Sequence, residues 1–170
     1  AELRAACRQV RFEGIQQVRL ARSGDEARPG TAVLHADGAS LGNPGPAGAG
    51  FVIETEDGRL LAEGSVPLPV VTNNVAEYRA LILGAQEAAR QGARSLTVFL
   101  DSELICHQLS GHYRVKSPAL KPLHHEARRA LSAFSQLSVQ HVPREENARA
   151  DALAGRAAKK SRERIEKNAD

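Results

Sequence analysis

The chain has 170 residues, 42% of them hydrophobic, and a formal net charge of +3. That is enough apolar content for one core without disulfide or metal staples, and its two cysteines, Cys7 and Cys106, exclude a disulfide framework or a thiolate metal centre. No run of about 18 apolar residues could span a bilayer, and the first residues lack the apolar stretch of a signal peptide, so the expectation is a cytoplasmic protein with no membrane partner.

Charge is uneven along the chain. Residues 1–30 carry six Arg against four acids, and residues 156–170 carry six Arg or Lys against three. The stretch between them is slightly acidic. Basic ends around an acidic body permit a polyanionic partner and equally permit two solvated termini.

In chain order, residues 1–30 contain too few apolar positions for a domain, and the polar stretch Arg22 to Gly30 reads as a linker. Residues 31–37 form a first strand that delivers Asp37 at its end, where Gly42-Asn43-Pro44-Gly45 breaks the pattern. Residues 49–55 and 60–66 complete a three-stranded meander across the Glu56-Asp57-Gly58 turn, and Pro67 and Pro69 end it. Thr72-Asn73-Asn74 caps a helix over 75–90, whose apolar stripe includes Val75, Tyr78, Ile82 and Ala85. A strand over 95–100 ends at Asp101, and the strand–helix–strand order makes that part of the sheet parallel. Helices over 102–109 and 118–134, a strand over 137–142 and a helix from Asn147 into a charged tail complete the chain. The order βββαβααβα is an α/β fold, with one mixed five-stranded sheet and helices on both faces.

Ligands of such sheets gather at the carboxyl ends of the parallel strands. Asp37 and Asp101 belong there, with Glu77 and Asp151 each in the first turn of a neighbouring helix. Singly, each acid has a local use: Glu77 and Asp151 complement helix N-termini, Asp101 can cap the helix after it, and Asp37 can support a turn. Together, four converging carboxylates repel one another unless cations occupy the site. Hard oxygen donors select Mg²⁺ or Mn²⁺, and two such ions about 4 Å apart suit phosphoryl transfer.

Four segments resemble the signatures of type 1 ribonuclease H: Asp37 to Pro46, Thr72-Asn73-Asn74-Val75-Ala76-Glu77, Leu100-Asp101-Ser102, and Asn147 to Ala154. The resemblance covers about 31–158 and implies a ribonuclease H-like fold. It also implies endonucleolytic hydrolysis of the RNA strand of an RNA–DNA hybrid, leaving 5′-phosphate and 3′-hydroxyl ends, with two Mg²⁺ that Mn²⁺ can replace. By matching positions, Asp37 would bridge both metals, Glu77 and Asp101 would complete the site nearer the leaving group, and Asp151 would hold the metal that activates water. Ser40, Asn43, Asn73 and Asn74 match contacts to the RNA strand, where 2′-hydroxyls mark RNA, and Thr72 matches a contact to a DNA phosphate. The same residues also serve as ordinary caps and turns.

The sequence departs from the best-known bacterial form in two places. The Trp- and Lys-rich basic handle is absent, leaving Gly111 to Lys121, in which Arg114, Lys116 and Lys121 either replace its phosphate contacts or decorate a solvated loop. The loop 143–147 lacks the His common near the water-activating metal; His141 lies too early and reads as structural, whereas Glu145 or Glu146 could assist product release. The expected organisation is an extension over 1–30, a catalytic domain over 31–158 and a basic, disordered tail over 159–170, acting as a monomer. Alternatives are a relative that also cuts double-stranded RNA and a catalytically silent nucleic-acid-binding module. Silence fits poorly with four retained acids.

Overall fold

The computed structural model describes residues 30–170 and the backbone of residues 18–20, so most of the expected N-terminal linker lies outside the described residues. In chain order the elements are β1 Val18–Leu20, β2 Thr31–Ser40, β3 Gly45–Thr55, β4 Leu60–Val71, α1 Asn73–Arg90 and β5 Ser95–Leu100. They are followed by α2 Glu103–Ser110, α3 Leu120–Leu131, β6 Gln136–His141, a 3₁₀ turn Arg144–Asn147, and α4 Ala148–Asn168. The sheet order is β1-β4-β3-β2-β5-β6. β2, β3 and β4 form the antiparallel meander, and β5 and β6 add in parallel beside β2. The five expected strands are therefore joined by a sixth, β1, which pairs antiparallel with Ala62 to Gly64 of β4.

The meander strands are longer than their sequence suggests. β2 continues past Asp37 to Ser40, and β4 runs through Pro67 and Pro69 to Val71. Among the described residues β1 covers only Ala62 to Gly64, so Pro67 and Pro69 fall where no described strand pairs with the outer side of β4, a position that tolerates proline. The tail also differs from expectation: α4 stays helical to Asn168, with Ala157, Ala158 and Ser161 buried, so most of 159–170 is ordered. Packing of that face, rather than the composition of the tail, decides its state.

One face of the sheet carries α1, which buries Ala76, Tyr78, Ala80, Leu81, Ile82, Leu83, Ala85 and Ala88, and α3 packs against it. Ala32, Leu34 and Ala36 of β2 alternate toward α1, where a Cβ on Gly84 would meet the Leu34 side chain at 2.5 Å. Each fully buried Leu or Ile in this layer contributes about 1.5–3 kcal/mol. The opposite face carries α4 across β3, β4 and β2. Because side chains alternate along a strand, the parity that sends Leu34 to α1 sends Asp37 to the α4 side.

Candidate active site

Asp37 is 5% exposed and sits opposite Gly50 in the β2–β3 ladder. It lies inside β2 rather than at its end. The parallel pairing with β5, however, stops at His35 and Phe99, so Asp37 lies where the sheet opens beside β2. Asp101 follows the last residue of β5. The cap of α2 is not Asp101 but Ser102, whose hydroxyl accepts from the Ile105 N–H at 3.3 Å, leaving the Asp101 carboxylate available.

Glu77 comes from the second turn of α1, because the helix begins at Asn73. Gly38 sets its distance from Asp37: a Cβ there would lie 2.3 Å from the backbone carbon of Ala76 and from the nitrogen of Glu77. Only a glycine lets α1 approach β2 this closely, and the approach occurs next to both acids. As a result, carboxylate oxygens of Asp37, Glu77 and Asp101 all lie within 4.8 Å of one another.

Asp151 is brought in by α4 and stands outside that group of three, close enough to Asp37 to help push its carboxyl up. Its helix is seated on two more glycines. A Cβ on Gly50 would lie 2.4 Å from the Ala150 carbonyl oxygen, and one on Gly48 would lie 2.4 Å from the Ala154 carbonyl oxygen and the Ala158 nitrogen. Asn147, 1% exposed, fastens the start of α4 to β2 by donating from Nδ2 to the Ala36 carbonyl at 2.9 Å, one residue before Asp37. Its Oδ1 is buried without a partner. Sequence reasoning missed this role, since Asn before a helix reads as a cap and the partner is 111 residues away. It missed Arg144 too, whose guanidinium lies 3.4 Å from Asp151. With the Arg144 side chain 78% exposed, that pair is a weak surface contact which a cation can displace.

The electrostatics follow from burial and crowding. Burial, then the Asp101 charge, the Asp151 carboxyl and the Glu77 charge push the Asp37 carboxyl up to about 8. Glu77 is pushed up to about 7, mainly by burial and further by Asp101, while a hydrogen bond with Ser102 pulls the other way. The bare site therefore disfavours its own ionised form. An all-oxygen donor set whose members repel one another fits a hard divalent cation, which would relieve the repulsion.

The candidate substrate residues gather at the end of the sheet where β2 turns into β3 and β4 enters α1. The Ser40 hydroxyl donates to the Val71 carbonyl at 3.0 Å, and Asn43 Oδ1 accepts from the Asn73 N–H at 3.1 Å. Thr72 is the cap of α1, accepting from the Val75 N–H at 3.3 Å, and Asn73 and Asn74 open the helix. These bonds fix the corner while leaving the Asn73 side chain exposed. Arg114 and Lys116 are exposed on the loop between α2 and α3, and Glu145 and Glu146 are exposed in the 3₁₀ turn. His141 bonds through Nε2 to the Asp101 carbonyl at 3.2 Å.

Residues 35–157 match the reverse transcriptase-like family model. The chain is 43% identical over 130 residues to the ribonuclease HI of Halobacterium salinarum, covering 76% of this chain and 65% of that one. The solved RNase H1 of the same archaeon superposes with a TM-score of 0.75 at 42% identity, covering 77% of this chain and 99% of that one. A bifunctional protein of Mycobacterium tuberculosis is 45% identical over 126 residues, 74% of this chain, and the chain spans only 35% of its length. LC11-RNase H1, solved in complex with an RNA/DNA hybrid, superposes with a TM-score of 0.72 at 40% identity over 76% of this chain and 98% of that one. With the matched region spanning all four acids and the sheet that positions them, the chain belongs to the type 1 ribonuclease H family.

Proposed function

We propose that this chain is a metal-dependent endonuclease that hydrolyses the RNA strand of RNA–DNA hybrids, leaving 5′-phosphate and 3′-hydroxyl ends. The observation that carries the reading is the approach of Asp37, Glu77 and Asp101 to within 4.8 Å, with two of the three held in a protonation-prone state. The likeness to LC11-RNase H1, solved with an RNA/DNA hybrid, supports the substrate. Asp37, Glu77, Asp101 and Asp151 are the residues that would hold two Mg²⁺ or Mn²⁺. Bound there, the cations would supply positive charge to the attacking and leaving oxygens of the phosphodiester.

The chain's own residues do the rest. Gly38 on β2 and Gly50 on β3 allow the acid-bearing helices to close on the sheet, and Asn147 ties the Asp151 helix to the strand of Asp37. The corner of Ser40, Asn43, Thr72, Asn73 and Asn74 offers amides, hydroxyls and backbone groups to a minor groove lined with 2′-hydroxyls. Arg114 and Lys116, exposed on the loop between α2 and α3, would supply phosphate contacts in place of the missing handle, and Glu145 or Glu146, exposed in the 3₁₀ turn, would assist product release. Residues 31–158 form the catalytic unit of a cytoplasmic monomer; among the described residues no helix is long and apolar enough to cross a membrane.

The test is cleavage of hybrid, duplex RNA and duplex DNA of one sequence, with Mg²⁺ and with EDTA. Cutting confined to the RNA strand of the hybrid and abolished by EDTA is expected. Cleavage that survives EDTA, or that attacks duplex DNA equally, would overturn the reading.

A further inference from the structure

The far end of α4 has no use in the site described so far. The helix buries Ala150, Leu153, Ala154, Ala157, Ala158 and Ser161 at helical spacing, yet every residue from Arg162 to Asn168 is exposed. Ile165, next in that register after Ser161, is 41% exposed. The last two turns thus run clear of the sheet.

Their direction is fixed by contacts along the helix. Ala150 and Ala154 sit over Gly50, Ala154 and Ala158 sit over Gly48, and the Ser161 hydroxyl donates to the Leu68 carbonyl. Leu68 lies near the end of β4, which closes at Val71 and passes into the Thr72 cap of α1. So α4 leaves the sheet at the rim that carries Ser40, Asn43, Thr72 and Asn73. The overhang and the turn before it hold Lys159, Lys160, Arg162, Arg164 and Lys167 against Glu163 and Glu166, and Arg162 and Glu166 are 4.0 Å apart.

We propose that this basic end of α4 is a second nucleic-acid contact, binding phosphates of the duplex whose scissile region lies at the four acids. The inference rests on the hybrid-cleavage reading and adds a surface to it. Sixteen residues of helix separate Asp151 from Lys167, a reach of about 24 Å, or roughly seven base pairs at ~3.4 Å each. Lysines on long stems suit non-specific phosphate contact, because each is a mobile point charge. A protein partner is the weaker fit, since an interface needs an apolar centre and this end offers the single side chain of Ile165.

The experiment compares the full chain with Lys159→Gln/Lys160→Gln/Lys167→Gln by fluorescence anisotropy, without divalent metal, across a KCl series. Two hybrids of about 6 and about 24 base pairs are used, one shorter and one longer than the roughly seven base pairs the helix spans. On the long hybrid the variant should show a shallower salt slope, by about 0.9 per lost contact and up to roughly 2.7 in all. On the short hybrid it should match the wild type. A wild-type slope on the long hybrid would overturn the proposal, and so would an equal loss on both lengths, which assigns the lysines to general attraction. The charge-reversed Lys159→Glu/Lys160→Glu/Lys167→Glu chain, compared at matched melting temperature, should weaken long-hybrid binding further; no added loss counts against the proposal. If the wild type binds both hybrids but cleaves neither with Mg²⁺, the hydrolytic reading fails while the α4 contact stands.

Discussion

At Asp37, burial and neighbouring carboxylates act in the same direction, so the group the proposed chemistry needs ionised is one the bare protein prefers protonated. Replacing it separates the two effects. Asp37→Asn should reduce hybrid cleavage by more than a hundredfold, because it removes the proposed metal ligand at the centre of the cluster. In the absence of metal the same change should raise the melting temperature at pH 8, because a like charge leaves a crowded, buried site. Turnover within tenfold of wild type, about 1.4 kcal/mol, would refute the assignment. Asn147 gives a subtler case. Its loss orphans the Ala36 carbonyl, worth about 1 kcal/mol, but also removes a buried Oδ1 that has no partner. Asn147→Ala should therefore change the melting temperature little while lowering kcat about tenfold and raising the divalent concentration for half-maximal activity several-fold. Steady-state rates across a Mn²⁺ titration, beside a thermal melt, read both quantities. Kinetics within twofold of wild type would leave Asn147 a packing residue only.

At the scale of elements, glycines decide how closely the helices approach the sheet. Gly38→Ala would place a Cβ 2.3 Å from main-chain atoms of Ala76 and Glu77, which no side-chain rotation can relieve. The expected cost is about 3 kcal/mol, a fall of roughly 6–12 °C in melting temperature for a chain of this size. Activity should fall in the surviving folded protein as well, since α1 must retreat with Glu77. Gly155→Ala is the contrast, because a Cβ there meets nothing within 4 Å and the position is helical; it should stabilise by about 0.5–1 kcal/mol. A destabilised Gly155→Ala or a tolerated Gly38→Ala, read by calorimetry, would contradict this account of the contacts. The elements carrying Asp37, Glu77, Asp101 and Asp151 were legible because apolar periodicity and turn residues are local signals. Their approach was not, because Gly38 and Gly50 read as weak strand positions until the helix backbone above them is seen. Pro67 and Pro69 misled for a related reason: proline reports a missing N–H, but whether that matters depends on whether a strand pairs with the outer side of β4 at that point. The tail misled because its charges describe its solvent side and say nothing of Ala157, Ala158 and Ser161 beneath.

For the whole molecule, the raised carboxyls make stability depend on pH and on divalent metal together. In the unfolded chain Asp37 and Glu77 titrate near 3.8 and 4.5, whereas in the folded chain they titrate near 8 and near 7. Between those values the folded state holds more protons than the unfolded state, so stability falls as pH rises. The stabilising contribution is complete below about pH 4 and lost by about pH 8, the reverse of an acid held ionised by a salt bridge. Divalent metal at the proposed site would offset the trend, because it would bind the deprotonated carboxylates and only the folded chain presents them together. At a hundred times its dissociation constant a ligand specific to the folded state adds about 2.7 kcal/mol. That increment should grow with pH over this window. Melting curves from pH 5 to 8.5, in EDTA and in Mg²⁺, should therefore diverge as pH rises, the EDTA series falling and the Mg²⁺ series holding level. In Asp37→Asn the EDTA series should flatten and the gap should narrow. Parallel curves in the wild type would mean that cation binding is not coupled to these carboxyls, and the metal-site assignment would fall with it.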